Sequence, residues 1–314
     1  MKFLRRGSDI SELMDFIVMM ISGKLGNIKV GDKHPVALMG VINLSPDSFF
    51  KSSIFSPSEA VKRATEMAEG GAQILDIGAM GTGPKSAPVD EKVEIMRLVP
   101  AIRAISREVD IPVSVDTQRA KVAEEAIAAG AEIINDVSGM KHDPGMGAVV
   151  KRYNCSVVMM AADKAPGDVY TIPAIKKSLM ESLKICGRAG IDIRRVVVDP
   201  GVGFWPGRLK RLGKKAETHV GRYRYPALLD LAIISKLKEL RKLGRPICVG
   251  ISRKSFIGEI CGERDPAKRL PGSLAATAVA VINGAHVIRT HDPAETSQAV
   301  KVAEALRIVG EIKG

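Results

Sequence analysis

Polar residues of the kinds that bind ligands recur along this sequence, each at or just after the end of a short apolar run. They are Asn43, Asp76, Asp116, Asn135, Asp136, Asp199, Lys254, Arg289 and His291. A buried carboxylate or amide costs on the order of a few kcal/mol unless it is paired or bound to a ligand. Any single one of these residues can be explained as a helix cap or a turn residue. Core packing does not require polar groups after so many apolar runs, so the set as a whole predicts a binding site.

The residue types indicate what this site binds. Carboxylate and amide groups can hold a ring that carries several N–H groups and acceptors. Lysine, arginine and histidine suit an anion, or a negative charge that develops during a reaction. The five histidines and four cysteines are scattered, without a C-x-x-C pair, which argues against a zinc site and a disulfide framework. We therefore expect an organic ring and an anion as ligands.

A parallel sheet with a helix after each strand would bring these residues together. The predicted strands end at Asn43, Gly78, Asp116, Val137, Met160, Asp199, Gly250 and Arg289. Amphipathic segments with helical spacing separate them. Eight such units in roughly 280 residues predict an α/β fold of the (β/α)8 TIM-barrel class, in which all strands end at one mouth. A doubly wound open sheet is the alternative, but no G-x-G-x-x-G motif follows the first strand.

Two segments fall outside this repeat. Residues 1–35 form an N-terminal extension before the barrel of residues 36–314, and the apolar spacing in DISELMDFIVMMISGKLG predicts a helix there. This helix would cover the bottom of the barrel or a partner subunit. Residues 205–225 form a basic insertion after the sixth strand, with seven Lys or Arg against one Glu between Arg208 and Arg224. The insertion is either a solvated, flexible loop or a site for an anion.

The composition also indicates an anionic partner, because the net charge is +12. Aromatic residues make up only 4% of the chain and no basic stretch is interleaved with them, so stacking on nucleic-acid bases is poorly supported. A phosphorylated small molecule is the better candidate. No apolar run approaches the roughly 20 residues of a membrane span, and the cysteine pattern indicates a reducing compartment. We expect a cytoplasmic enzyme with no nucleic-acid or membrane partner.

Several blocks of this sequence together resemble the dihydropteroate synthase family. In chain order they are VINLSPDSF, SVDT, AGAEIINDVSG, DPGVGF, GISRKSFIG, GSLAA and IRTHD. The resemblance runs from about Val36 to the end of the chain. It implies a transferase that joins 6-hydroxymethyl-7,8-dihydropterin pyrophosphate to an arylamine, usually p-aminobenzoate, and releases pyrophosphate in folate biosynthesis. It also implies Mg²⁺ as a cofactor and a homodimer as the assembly.

The resemblance assigns roles to individual residues of this sequence. Those expected to bind the pterin are Asp116, Asn135, Asp199 and Lys254. Those expected to bind the pyrophosphate are Asn43, Arg289 and His291, with Asn43 also holding magnesium. Those expected on the arylamine side are Thr82, Pro84, Phe204 and Ser255. Those expected to act directly in catalysis are Lys254, Asp116, Arg289 and His291.

The loops on the arylamine side differ from the family pattern. The first continues DSFFKSSIF where DSFSDGG is usual, and the second reads GAMGTGPKS where GESTRPG is usual. Ala161 and Ala162 replace a His-Met pair, and the Lys expected shortly after DPGxGF is missing. GAMGTGPKS is also one residue away from a phosphate-binding G-x-x-x-x-G-K-[ST] loop. Pro84 interrupts that motif and has no N–H to donate.

Two alternatives accompany the synthase prediction. One is an archaeal methanopterin-type synthase, whose arylamine carries a ribosyl phosphate that the basic insertion would bind. The other is a pterin-binding methyltransferase domain. That class shares the barrel and the pterin pocket, but it is not expected to carry the SRKSF and RTHD blocks found here.

Overall fold

The computed structural model describes residues 20–44, 56–79 and 89–311 of the chain. Within these ranges the strands are β1 (Ser22–Leu25), β2 (Ile28–Gly31), β3 (Ala37–Asn43), β4 (Ile74–Gly78), β5 (Val113–Asp116), β6 (Ile133–Asp136), β7 (Ser156–Met160), β8 (Val196–Asp199), β9 (His219–Val220), β10 (Tyr223–Arg224), β11 (Cys248–Gly250) and β12 (Val287–Thr290). The α-helices are α1 (Pro57–Glu69), α2 (Glu91–Glu108), α3 (Ala120–Ala128), α4 (Met146–Tyr153), α5 (Ile172–Ala189), α6 (Trp205–Leu212), α7 (Tyr225–Ser235), α8 (Ser255–Cys261), α9 (Leu270–Ile282) and α10 (Pro293–Glu311). The predicted strand ends agree with these bounds to within one residue.

Eight of the strands form a parallel barrel. The order in the sheet is β11-β12-β3-β4-β5-β6-β7-β8. A parallel bridge between Val198 and Ile247 joins the two ends of the sheet, and the N–H of Val198 donates to the C=O of Pro246 at 3.0 Å. The (β/α)8 prediction is therefore confirmed. The strands read as apolar runs because helices cover their outer faces and the other strands cover their inner faces.

The N-terminal hairpin of β1 and β2 closes the bottom of the barrel. Leu25 and Val30 are fully buried and pack with apolar residues from inside the barrel. These barrel residues are Ala37, Met39, Ile74, Ile133, Val158, Val197, Cys248 and Val287. The hairpin is also held from outside. Asp32 accepts hydrogen bonds from Arg241 Nη1 (2.7 Å) and Nη2 (3.0 Å), and its Oδ1 lies 3.2 Å from Nε2 of the buried His286.

Part of the N-terminal extension, residues 1–35, in which the sequence predicts a helix, forms this hairpin. The described part of that segment, from residue 20 onward, forms an antiparallel pair with the register Ser22 to Gly31. Gly26 begins the two-residue turn with φ of +57°, a conformation that favours glycine and suits a hairpin. Residues 1–19 lie outside the described ranges. The helix before the hairpin, and its place at the bottom of the barrel or against a partner subunit, therefore stay predictions.

The basic insertion is folded, which corrects its interpretation as a solvated, flexible loop. It comprises α6, a 3₁₀ turn over Gly213–Glu217 and the small hairpin of β9 and β10, and it leads into α7. Trp205, Arg208 and Leu212 are buried.

Among the helices of the described ranges, none has the length and apolar character that crossing a membrane requires.

Candidate active site

Asp76, on β4, is the centre of a hydrogen-bond network in the mouth of the barrel. The residue is completely buried. Its carboxylate accepts hydrogen bonds from Ser114 Oγ (2.6 Å), Asn135 Nδ2 (2.9 Å) and Arg289 Nε (2.6 Å). A buried carboxylate requires such partners to offset its lost hydration. Because the donors belong to β5, β6 and β12, the network fixes these strands relative to β4. The sequence placed Asp76 at a strand end but did not reveal its role as the shared acceptor.

Arg289 connects this network to Asp116. Its Nη2 donates to Asp116 Oδ2 at 2.8 Å, while its Nε is bonded to Asp76. Burial raises the pKa of the Asp116 carboxyl, and the positive charge of Arg289 opposes that rise. Arg289 was predicted to bind pyrophosphate. In the structure it lies among the carboxylates of the pocket, and it is also near enough to His291 to lower the pKa of that imidazole.

Asp199 and Lys254 complete the set of residues predicted to bind the pterin. Asp199 ends β8, and its Oδ1 accepts the N–H of Gly201 at 2.7 Å. Burial raises the pKa of Asp199 to about 6, with the Gly201 hydrogen bond opposing the shift. Burial and then the charge of Arg289 lower the pKa of Lys254 to about 8. The Lys254 ammonium lies 4.1 Å from the centre of the Phe204 ring, within the range of a cation–π contact.

His291 follows β12 and is neutral near pH 7. Burial, followed by the charges of Arg289 and Arg253, lowers the pKa of its imidazole to about 3. Its Nδ1 lies 3.1 Å from Ser252 Oγ, which also accepts the backbone N–H of His291 at 3.3 Å. A neutral imidazole can donate one hydrogen bond to an anion but supplies no charge until it is protonated.

A pairing of Arg253 with Asp292 joins the two sequence blocks that contain Lys254 and His291. Arg253 Nε donates to Asp292 Oδ2 at 3.0 Å, and its Nη2 donates to the other carboxylate oxygen. The backbone N–H of Arg253 donates to Ser273 Oγ at 2.9 Å, although its φ of +59° is unusual for a non-glycine residue. The sequence showed both blocks but gave no signal for their pairing.

The arylamine side is described only in part. Phe204 directly precedes α6, and Ser255 is the first residue of α8. Thr82 and Pro84 lie outside the described residues. Ala162, one of the two alanines that depart from the family pattern, is buried. Its N–H donates to Ser178 Oγ at 3.1 Å, and its C=O accepts from Lys141 Nζ at 2.6 Å. The backbone of Ala162 is therefore fixed by side chains from two other segments of the chain.

Asn43 is half-buried at the mouth end of β3. Among the described residues, no three His, Cys, Asp or Glu side chains are grouped so that they could hold a metal ion. Magnesium commonly binds through one or two protein oxygens together with substrate phosphates and water. A single amide oxygen at this position fits an ion that arrives with a diphosphate, whereas it does not fit a metal held by protein alone.

Some cations of the basic insertion are paired with carboxylates and others are not. Among the paired ones, Arg208 is buried against Asp230. Arg211 pairs with Asp163 at 3.0 Å, and Arg224 lies 3.8 Å from Glu259. The remaining cations form no ion pair within the described part of the chain, and they are exposed. These exposed cations are Lys210, Lys214, Lys215 and Arg222.

The fold and the site together define a class of protein. It is a (β/α)8 barrel whose mouth holds buried acceptors suited to a ring with several N–H groups, next to donors suited to an anion. The family model described as "Pterin binding enzyme" matches residues 39–291. Because the match covers most of the chain, this protein belongs to that family.

Individual relatives agree with this assignment. The dihydropteroate synthase of Bacillus subtilis (strain 168) is 35% identical over 275 residues, which cover 87% of this chain and 90% of the relative. The dihydropteroate synthase of Thermus thermophilus, solved in complex with 4-aminobenzoate, is 36% identical with a TM-score of 0.73, covering 91% of this chain and 99% of that one. A dihydropteroate synthase from Coxiella burnetii in complex with pteroic acid is 33% identical with a TM-score of 0.76, covering 92% and 99%.

Proposed function

We propose that this protein is a transferase of the dihydropteroate synthase type. It condenses 6-hydroxymethyl-7,8-dihydropterin pyrophosphate with an arylamine and releases pyrophosphate, as a step in folate biosynthesis. The observation that carries the proposal is the buried network in which Arg289 bridges Asp76 and Asp116 and Asp76 accepts from Asn135. This network presents acceptors and donors in the mouth of a barrel that belongs to the pterin-binding family.

The pterin would be held by complementary hydrogen bonds. Asp116 and Asp199 offer carboxylate oxygens to the amino and ring N–H groups of the pterin, and the amide of Asn135 offers both a donor and an acceptor. Lys254 supplies a donor to a ring acceptor. Phe204, packed under the Lys254 ammonium, limits the freedom of that side chain. The same carboxylates stabilise positive charge that develops on the pterin during the reaction.

The reaction requires no nucleophilic residue. The bond between the pterin methylene carbon and the pyrophosphate oxygen breaks, and the pyrophosphate leaves with the electron pair. The lone pair of the arylamine nitrogen then forms the new C–N bond, and that nitrogen loses a proton to solvent. Arg289 and His291 donate hydrogen bonds to the departing oxygens, where such donors stabilise the transition state most.

Magnesium is part of this proposal. Asn43 would contribute an amide oxygen as one ligand of the ion, and the pyrophosphate would contribute further oxygen ligands. When bound, the ion would neutralise charge on the leaving group. The residues that this chain supplies for the anion itself are Arg289 and His291.

The second substrate is either p-aminobenzoate or an arylamine with a phosphorylated tail. Solved relatives bind 4-aminobenzoate, which favours the first. The exposed cations Lys210, Lys214, Lys215 and Arg222 favour the methanopterin-type alternative, because a phosphate-bearing tail would reach beyond the barrel mouth. The methyltransferase alternative has less support, since the relatives compared above are named dihydropteroate synthases.

The test is a pyrophosphate-release assay with the pterin pyrophosphate, Mg²⁺ and each arylamine in turn. We expect release that depends on the arylamine and forms a dihydropteroate product detectable by mass spectrometry. A kcat/KM that is higher for p-aminobenzoate than for the ribosyl-phosphate arylamine excludes the methanopterin-type alternative. If neither arylamine supports release, the synthase proposal is wrong.

A homodimer in the cytoplasm is also proposed, following the family resemblance. In support, Val302, Leu306 and Val309 on α10 and Val279 on α9 are large apolar side chains that are 46–62% exposed, which is typical of an interaction surface. Analytical ultracentrifugation of the wild type and of Leu306→Glu tests the dimer. A wild type that sediments as a monomer at micromolar concentration refutes it.

A further inference from the structure

Arg208 and Asp230 form an ion pair that lies completely inside the protein. Arg208 belongs to α6 in the basic insertion, Asp230 belongs to α7, and both side chains have 0% exposure. Nothing in the reaction described above uses either residue. In the sequence, Arg208 was indistinguishable from the surface cations around it.

The pair binds the turn between β8 and α6 at two points. Asp230 accepts the N–H of Gly203 and the indole N–H of Trp205, each at 2.8 Å, as well as a hydrogen bond from Arg208 Nη1. Arg208 Nη2 donates to the C=O of Gly201 at 3.2 Å. Both glycines of the DPGVGF block are therefore attached to this one ion pair.

That turn connects the candidate pterin and arylamine sites. At its start, the N–H of Gly201 donates to Asp199 Oδ1. In its middle, Gly203 has φ of +76°, and a Cβ there would lie 2.7–3.0 Å from the side-chain carbons of Lys254. At its end, the Phe204 ring lies under the Lys254 ammonium. A displacement of the turn would therefore move or release Asp199, Lys254 and Phe204 together.

Stability alone is a weak reason for a pair of this kind. A buried ion pair often stabilises a protein no more than apolar residues of the same size, because both charges lose their hydration. Arg208 Nε is, in addition, a buried atom with no hydrogen-bond partner among the described residues. A buried pair can instead serve to fix one conformation, because its charge-assisted hydrogen bonds are directional and costly to break.

We propose that Arg208 and Asp230 are positioning residues that hold the turn from Asp199 to Phe204 in the conformation the active site requires. Their effect on catalysis rests on the proposed synthase function. Their effect on the turn itself does not, because it follows from the hydrogen bonds alone.

The kinetic test uses the double variant Arg208→Met/Asp230→Asn. This change removes both charges, so no unpaired charge stays buried, and the Asn oxygen can still accept a hydrogen bond. We expect kcat/KM for the pterin pyrophosphate to fall about 10- to 100-fold, as displaced substrate contacts commonly cause, with KM for the arylamine also raised. The conservative variant Arg208→Lys keeps the charge and should recover part of this loss.

The matched control is Arg241→Met/Asp32→Asn, which removes the ion pair at the bottom of the barrel. We expect it to lower Tm while leaving both KM values and kcat within about twofold of wild type, because it lies at the end of the barrel remote from the mouth. If the control loses as much kcat/KM as the Arg208 and Asp230 variant, or if that variant keeps wild-type kinetics, the positioning role is wrong.

Trp205 provides a measurement that does not depend on turnover, because it is the only tryptophan in the chain. Its indole is buried and bonded to Asp230. In the ligand-free double variant we expect its emission to shift to longer wavelength and the amides of residues 201–205 to exchange hydrogen faster than in wild type. Unchanged emission and exchange refute the proposal even if wild-type synthase activity is present. If the wild type lacks that activity but these changes occur, only the proposed function fails.

Discussion

Replacing Asp76 with asparagine should uncouple the strands that meet in the barrel mouth. An Asn side chain has nearly the same shape, but only one of its two polar atoms accepts hydrogen bonds. In the wild type, Oδ1 accepts from Ser114 and Oδ2 accepts from both Asn135 and Arg289. Whichever way the new amide is oriented, its NH₂ group faces at least one of these donors. Arg289 then retains only Asp116 as a carboxylate partner.

The structure sets the size of this effect. Each buried donor left without an acceptor costs about 1–3 kcal/mol, and more when it is charged. The less costly orientation turns the amide oxygen toward Asn135 and Arg289, but the buried Arg289 loses one of its two ionic partners in either orientation. We therefore expect the free energy of unfolding to fall by about 2–5 kcal/mol. Urea denaturation followed by far-UV circular dichroism measures this change. In the same variant, we expect kcat to fall at least about tenfold, because Asn135 and Arg289 lose their fixed orientation.

A partly exposed carboxylate serves as the control. Asp192 is bonded to its own neighbour Arg194, which is 79% exposed, and Asp192→Asn should change the free energy of unfolding by no more than about 1 kcal/mol. If Asp76→Asn is as stable as this control, then Asp76 is not the acceptor that holds the mouth together. The assignment of the network as the core of the site would then be wrong.

Three further predictions follow from the same contacts. Because the pKa of Lys254 is lowered to about 8, its ammonium loses its charge as the pH rises through that value. The kcat/KM of the wild type should therefore decline near pH 8, and that of Lys254→Arg should decline only at higher pH. Gly203→Ala should lower kcat/KM about tenfold or more without loss of the circular dichroism spectrum, since the new Cβ would meet the Lys254 side chain. Asp32→Asn should lower stability at pH 7 by about 1–3 kcal/mol with kcat unchanged. Although burial opposes it, hydrogen bonds from Arg241, Ile21 and His286 lower the pKa of Asp32 in the folded protein. Below about pH 4 the unfolded chain takes up a proton at this carboxyl before the folded protein does, so the difference measured in urea titrations should shrink as the pH falls.

The barrel could be predicted from the sequence because its strands carry two signals at once. An apolar run such as the one ending at Asp199 indicates a strand buried on both faces, and the polar residue after it indicates the mouth. The order of the chain alone therefore placed Asp76, Asp116, Asn135 and Arg289 at one end of the barrel, where hydrogen bonds join them. The hairpin was missed because its strands have only four residues each. Alternation of apolar and polar residues is hard to recognise over so few positions, particularly next to the apolar segment that precedes them.

Partners within the site could not be predicted in the same way. That Arg289 lies between Asp76 and Asp116 depends on side-chain directions across three strands, and residue types alone do not specify them. Arg208 is a stronger case. A cation in a basic run is normally at the surface, and only its contact with Asp230 from the next helix reveals that it is buried.

The neutral state of His291 makes anion binding a proton-linked event. In the free protein its imidazole is uncharged, because burial and the neighbouring cations Arg289 and Arg253 oppose protonation. A bound diphosphate brings negative charge next to these cations and offsets their effect, so the pKa of the imidazole should rise and a larger fraction of it should be protonated in the complex. Calorimetric binding enthalpies for pyrophosphate at pH 6 should therefore vary with the ionisation enthalpy of the buffer. Because pyrophosphate also exchanges protons with the buffer near this pH, the contribution of His291 is the difference in that dependence between the wild type and His291→Gln.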